Sequence, residues 1–272
     1  MTVKIDQLYA MNSITLMDRM IRKNLLVDLT VTSPPYDDLR TYSGFLHKFE
    51  FEKIARRLYK VTKEGGVVVW VVGDRINGGF SLTSFRQALY FQQLGFKVHD
   101  IMIYKKKNTP FMRKNAYTNS YEFMFVLAKG KPSKFHPLKV ATKRSGIEMV
   151  PVRKDQEGVF TKVPKQLGTE KVRTNIWEYA VGLGGTTSDR IAFEHPAVFP
   201  EDLARDHILS WTDEGDLVFD PMCGSGTTCK MAKVLNRHYI GSDISKKYIK
   251  IAEERIKLAK SELTKKDQSS LI

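Results

Sequence analysis

Between residues 25 and 106 the chain alternates two hydrophobic patterns. "LLVDLTVT" (25–32), "GGVVVWVVGD" (65–74) and "KVHDIMIYKK" (97–106) are short apolar or β-branched runs bounded by Gly, Pro or charge, as buried strands are. "HKFEFEKIARRLYKVT" (47–62) and "SLTSFRQALYFQQLGF" (81–96) repeat apolar residues at helical spacing. The second opens on hydroxyl residues suited to an N-cap and stops near Gly95. "YEFMFVLAKG" (121–130) reads as a further strand. Strands alternating with helices predict an α/β domain built on a largely parallel sheet.

From about residue 129 to 193 the periodicity dissolves. Pro, Gly and Lys are scattered there, with 13 Lys or Arg against 6 Asp or Glu, a net of +7. The pattern predicts a basic, substrate-facing insertion at 131–193 within a main domain formed by 1–130 and 194–272. Regular elements resume with a helix over "PEDLARDHILSWT" (200–212). "GDLVFDPMCGSGTTCKMAKVL" (215–235) then reads as strand, glycine-rich turn and helix. "HYIGSDIS" (238–245) is a strand, and "KKYIKIAEERIKLAKSEL" a charged amphipathic helix.

Composition narrows the class. At 272 residues the chain can bury a large core. No apolar run approaches the roughly 20 residues a membrane helix needs, and the N-terminus lacks a signal-peptide pattern. The two cysteines are too few for a disulfide framework or a structural zinc site and fit a reducing cytoplasm. The six histidines are scattered, so no metal is expected. The net charge of +14 points to a polyanionic partner, nucleic acid foremost.

Two short stretches suggest chemistry. "TSPPY" ends the first strand. Pro34 and Pro35 fix two φ angles and remove two backbone donors, leaving a stiff loop of bare carbonyls beside a hydroxyl, Ser33, and a ring, Tyr36. "FDPMCGSGTT" places Gly224 and Gly226 at the carboxyl end of a strand, where α/β sheets bind nucleotide-like ligands. The frame lacks the third glycine of a dinucleotide fingerprint and the Gly-Lys-Ser/Thr of a P-loop. Asp243 ends the next strand, where a carboxylate commonly takes the hydroxyls of a ribose. A tight turn of purely structural purpose remains the alternative.

"TSPPY" and "DPMCGSGTT" together resemble the amino-methylating (N4-cytosine and N6-adenine) DNA methyltransferases. The catalytic motif comes first and the cofactor motif last, as in the permuted β class. "GGVVVWVVGD", "GFKVHDIMIYKK" and "YEFMFVLAKG" follow in the family's order, and "HPAVFPEDL" (195–203) is similar to its cofactor-closing segment. The resemblance implies a doubly wound, mostly parallel sheet of the S-adenosylmethionine-dependent methyltransferase type, with target recognition assigned to the insertion. It implies that Asp220, Pro221, Met222, Gly224, Gly226, Thr227 and Thr228 form the cofactor turn. Thr227 and Thr228 would also cap the following helix. Asp243 would hold the ribose, and His195 and Pro196 would border the methionine end. Cys223 and Cys229 are assigned to packing.

An exocyclic amino nitrogen is a poor nucleophile because its lone pair is delocalised into the ring. Acceptors aimed at its two hydrogens localise that pair; they are assigned to the Ser33 hydroxyl and the Pro34 carbonyl, stiffened by Pro35. The base must leave the duplex, and Tyr36 is placed to stack on it. Lys105, Lys106, Lys107, Arg113 and Lys114 in "YKKKNTPFMRKNAY" (104–117), with Lys143 and Arg144 in the insertion, are expected to contact DNA phosphates. Within the family, Ser in the "SPPY" position goes more often with cytosine N4 and Asp with adenine N6, so N4-cytosine is favoured and N6-adenine is the alternative. A double-stranded DNA substrate, a cytoplasmic location, a cognate restriction endonuclease and a homodimer are further expectations. Rival readings are an RNA or protein methyltransferase, a DNA-binding module without catalysis, and a dehydrogenase.

Overall fold

The computed structural model describes residues 2–35, 49–108, 113–154, 156 and 158–259. The elements run β1 (Gln7–Ala10), α1 (Ser13–Arg22), β2 (Val27–Thr32), α2 (Phe51–Val61), β3 (Thr62–Val72), α3 (Thr83–Gln93), β4 (Phe96–Lys106) and β5 (Tyr121–Lys129). They continue β6 (Lys139–Ala141), β7 (Gly146–Lys154), β8 (Phe160–Leu167), β9 (Glu170–Val172) and β10 (Ile176–Tyr179). The chain then forms α4 (Glu201–Trp211), β11 (Leu217–Asp220), α5 (Thr227–Val234), β12 (His238–Asp243) and α6 (Lys246–Leu258).

Eight strands form one sheet in the order β1-β12-β11-β2-β3-β5-β4-β10. All neighbours pair in parallel except β5, which runs antiparallel to both β3 and β4. The apolar run of β3 explains its central place: Val67 through Val72 are buried without a break, as a strand covered on both faces requires. Val68, Trp70 and Val72 pack with Leu16 and Met17 of α1, Ile54 and Leu58 of α2 and Phe91 of α3. The opposite side of the sheet is covered in part by α6, whose Ile249, Ala252 and Ile256 meet Leu8, Cys223 and Cys229. The sheet is thus doubly wound, and both cysteines are packing residues.

The elements read from the hydrophobic pattern are present, with local differences. α3 starts at Thr83 behind Leu82, whose φ of 54° is left-handed, and no side chain of its N-cap residue closes it. Its first donors are met by the Asp74 carboxylate at the end of β3, which accepts from Ser84 N at 2.9 Å and from the Ser84 hydroxyl at 2.6 Å. β1 and α1 are additional elements. So is β10, which lies within 131–193 yet pairs with β4 in the main sheet.

Residues Pro137–Thr174 form a second compact unit, narrower than the 131–193 insertion, and the remaining residues form the first. The small unit contains two antiparallel ribbons, β6-β9 and β7-β8. Its residues are nearly all exposed or half-exposed, so its sequence has no core face to impose a period. No helix among the described residues is long and apolar enough to cross a membrane.

Candidate active site

Three adjacent parallel strands, β12, β11 and β2, end side by side. Each delivers a polar group at its carboxyl end: Asp243, Asp220 and Thr32-Ser33. This is the edge of an open α/β sheet at which ligands bind, and it joins motifs that are far apart in the chain.

Asp220 is 1% exposed. Its Oδ1 accepts from the Thr32 hydroxyl at 2.8 Å and from the Met222 amide at 3.1 Å. Burial pushes its carboxyl up to about 6, against hydrogen bonds from Thr32, Met222 and Thr228; the nearby Asp243 charge adds to the rise. Asp220 therefore ties the turn to the end of β2. Pro221 is buried, and its carbonyl accepts from the Ser242 hydroxyl at 2.9 Å. Met222 packs against the main core.

The turn itself is held by glycine. Gly224 and Gly226 take φ of 48° and 79°, the left-handed region that other L-residues avoid. A Cβ on Gly224 would lie 2.7 Å from His195 Nε2, and one on Gly226 would lie 2.6 Å from Ala252 Cβ. The Gly224 requirement thus includes a protein contact, because His195 fills the space beside it. His195 is buried, its ring centroid 4.3 Å from that of Tyr248 in an edge-on arrangement. Its Nδ1 stands 2.9 Å from the Ala197 carbonyl. Pro196 is exposed. The structure accordingly brings His195 against the glycine turn.

Asp243 is half-buried, with Oδ2 accepting from Gly224 N at 3.2 Å and Oδ1 from Ser245 N at 2.8 Å. Burial raises its pKa, and these two amides oppose the rise. Each oxygen keeps a second lone pair, so the carboxylate can still accept from a diol. That acceptor, beside a turn with glycine at 224 and 226, fits a ribose-bearing cofactor.

Thr227 and Thr228 do not cap α5 by side chain: Gly226 is the N-cap, and no side chain there accepts a hydrogen bond. The Thr228 hydroxyl instead donates to the Val31 carbonyl at 3.0 Å. The Thr227 hydroxyl lies 3.3 Å from Arg255 Nη1.

Arg255 belongs to a cluster that motif reading misses. Its side chain is 0% exposed. It donates to Asp189 Oδ2 at 3.0 Å, Glu201 Oε1 at 2.5 Å and the Ser225 carbonyl at 2.6 Å. Lys230 Nζ meets the same Asp189 and Glu201 oxygens, each at 2.7 Å. Burial pushes Asp189 up, but Lys230 and Arg255 outweigh it and hold the carboxyl below its ordinary value. One sequence signal existed: Tyr248, Ala252 and Arg255 recur at helical spacing, so Arg255 shares α6's buried face.

Ser33 and Pro35 are half-buried and Pro34 buried, directly after β2. Tyr36 lies outside the described residues, as do 109–112 of the 104–117 stretch. Of the expected phosphate contacts, Lys105 pairs with Glu178 at 2.6 Å and Lys106 with Glu122 at 2.7 Å. Lys107, Arg113 and Lys114 are exposed. Lys143 and Arg144 are exposed in the small unit, where Arg144 pairs with Glu148. Among the described residues no His, Cys, Asp and Glu group could hold a metal ion.

The chain belongs to the N6/N4 DNA methylase family: the model of that family, described as DNA methylase, matches residues 27–254. The orphan methyltransferase M.BamHII of Bacillus amyloliquefaciens is 53% identical over 237 residues, covering 85% of this chain and 89% of the relative. The type II methyltransferase M.BglII of Bacillus subtilis is 30% identical over 236 residues, covering 83% and 62%. Among solved structures, the PvuII DNA methyltransferase (cytosine-N4-specific) superposes with a TM-score of 0.64 at 17% identity, covering 93% of this chain and 87% of that one. The M1.HpyAVI–SAM complex gives 0.62 at 22% identity, covering 93% and 99%. These two likenesses concern the fold.

Proposed function

We propose that this DNA methylase transfers a methyl group from S-adenosylmethionine to the N4 amino group of a cytosine flipped out of double-stranded DNA. The observation that carries the reading is the meeting of "TSPPY" and the glycine turn at one sheet edge, through the Thr32–Asp220 hydrogen bond of 2.8 Å. The cofactor supplies an electrophilic methyl on a sulfonium.

The chain's own residues bind, orient and polarise. Gly224 and Gly226 let backbone approach the cofactor, and Asp243 accepts from its ribose. The Ser33 hydroxyl and the Pro34 carbonyl accept from the two amino hydrogens, concentrating the nitrogen lone pair toward the methyl. Pro34 and Pro35 hold these acceptors in place beforehand, so little reorganisation remains at reaction. Alignment of this kind can lower a barrier by roughly 7–11 kcal/mol in favourable cases. No strong general base is required, because the methylated nitrogen is cationic and sheds its proton readily. Tyr36 stacks on the displaced base, at about 1–3 kcal/mol.

Ser33 favours cytosine over adenine. The basic unit 137–174, with nine Lys or Arg against four Asp or Glu, is assigned to target recognition. A homodimer, a companion restriction endonuclease and a cytoplasmic location are part of the same proposal. Duplex DNA of mixed sequence, treated with the protein and S-adenosylmethionine, is to be digested to nucleosides and analysed by mass spectrometry. N4-methylcytosine is expected. N6-methyladenine would overturn the base assignment alone, and failure to methylate DNA that binds would favour a module without catalysis.

A further inference from the structure

We propose that Thr32 is a positioning residue: its hydroxyl, bonded to Asp220, sets where the Ser33-Pro34 acceptors stand relative to the cofactor turn. The inference rests on the methyl-transfer reading above.

Direct backbone pairing between β2 and β11 stops short of the two residues. The register between β2 and β11 consists of Val218 with Leu29 and Phe219 with Thr30. Thr32 pairs outward with Trp70 of β3 and Asp220 outward with Gly241 of β12, and both lie beyond the last residues that β2 and β11 pair with each other, so the direct ladder between these two strands has ended there. Two hydroxyl bonds take its place. The Thr32 hydroxyl donates to Asp220 Oδ1 at 2.8 Å, across 188 residues of sequence. In the reverse direction, the Thr228 hydroxyl donates to the Val31 carbonyl at 3.0 Å. Thr32 and Thr228 are both 0% exposed, so water does not compete for either bond.

The lever arm is short. Thr32 is adjacent in sequence to Ser33, and Asp220 Oδ1 also receives the Met222 amide, which begins the turn. One carboxylate oxygen therefore fixes the first residues of both functional loops. A small displacement between them separates nucleophile from methyl, and a displacement of about 1 Å can cost about a hundredfold in rate. Removal of the Thr32 hydroxyl is therefore expected to change kcat more than the affinity for the cofactor.

The test compares two substitutions that separate shape from hydrogen bonding. Thr32→Val keeps the branched shape and removes the donor; Thr32→Ser keeps the donor and removes a methyl. Tritium transfer to unmethylated duplex DNA gives kcat, calorimetry gives the Kd for S-adenosylmethionine, and thermal unfolding reports the fold. The expected result is a kcat about ten- to a hundredfold lower for Thr32→Val, with Kd within about threefold of wild type and kcat largely retained in Thr32→Ser. Wild-type kcat in Thr32→Val, or an equal fall in Thr32→Ser, would assign Thr32 to packing and overturn the inference. A wild-type chain that transfers no methyl group would overturn the underlying reading as well.

Discussion

Arg255 and Glu201 form an ion pair of 2.5 Å that joins the last turn of α6 to the first turn of α4. The arginine side chain is 0% and the glutamate 19% exposed. Asp189 and Lys230 complete the charge balance, and the Arg255 bond to the Ser225 carbonyl ties the cluster to the glycine turn. Breaking a buried pair by removing one partner leaves an uncompensated charge, which typically costs about 3–5 kcal/mol. Arg255→Met is expected to lose stability of that order in urea unfolding. The double substitution Arg255→Met, Glu201→Met should recover part of it, because the stranded carboxylate is gone.

Gly226→Ala forces a Cβ to 2.6 Å from Ala252 Cβ at a φ of 79°. Left-handed backbone costs about 1–2 kcal/mol and overpacking about 1–3. A loss of about 2–5 kcal/mol is expected by chemical denaturation. Cofactor affinity, measured by calorimetry, should fall with it.

Asp243→Ala removes a carboxylate that accepts from the Gly224 and Ser245 amides. A hydrogen bond to a charged group is worth about 1.5–3 kcal/mol. The Kd for S-adenosylmethionine is therefore expected to rise about ten- to a hundredfold. Equilibrium binding without DNA reads this out independently of turnover.

Asp220 makes a pH dependence of definite sign. Its carboxyl is held near 6 in the fold, mainly by burial, against about 3.9 when unfolded. Between these values the folded chain binds more protons than the unfolded one, so stability falls as pH rises. From pH 5 to pH 7 this one group should remove roughly 1 kcal/mol. Asp220→Asn keeps an acceptor for Thr32 and cannot ionise. The difference in unfolding free energy between it and wild type should therefore move in the variant's favour over that interval.

Asp189 has the opposite sign. Burial raises it, but Lys230 and Arg255 hold it below the ordinary value. Its contribution is present above the unfolded pKa and is lost as pH falls through the folded one. Asp189→Asn is expected to destabilise the protein at pH 7 and to do so less at pH 3 to 4, as followed by thermal unfolding across that range.

What the sequence made legible follows from burial. The 67–72 part of β3 is apolar on both faces and flanked by Gly66 and Gly73, so a single run of residues suffices to place it. The glycine turn and "TSPPY" announce themselves because their backbones demand unusual residues. β1 does not: only Leu8 and Tyr9 of its four residues are buried, too few for a period to show. β10 is equally short, and its inward Trp177 and Tyr179 sit in a region otherwise without pattern. The Arg255 cluster was illegible for a different reason. Its members come from four separate stretches, around residues 189, 201, 230 and 255; only Arg255 has a local signal, its place on the buried face of α6, and the other three read locally as surface charges. Thr32 was hidden inside a strand pattern, where a β-branched residue needs no further explanation.

The small unit leaves the first at Pro137 and returns at Thr174, and the Arg173 amide donates to the Leu138 carbonyl at 2.8 Å. Its two stems are thus clasped by a backbone rung, and the closure entropy of whatever lies beyond grows only with the logarithm of its length. Segments lengthened, shortened or exchanged past that rung are expected to leave the pairing of β4 with β10 in place, as hydrogen exchange of the β10 amides would report. The rung therefore marks a graft point, at which the insert is exchangeable at little entropic cost to the sheet.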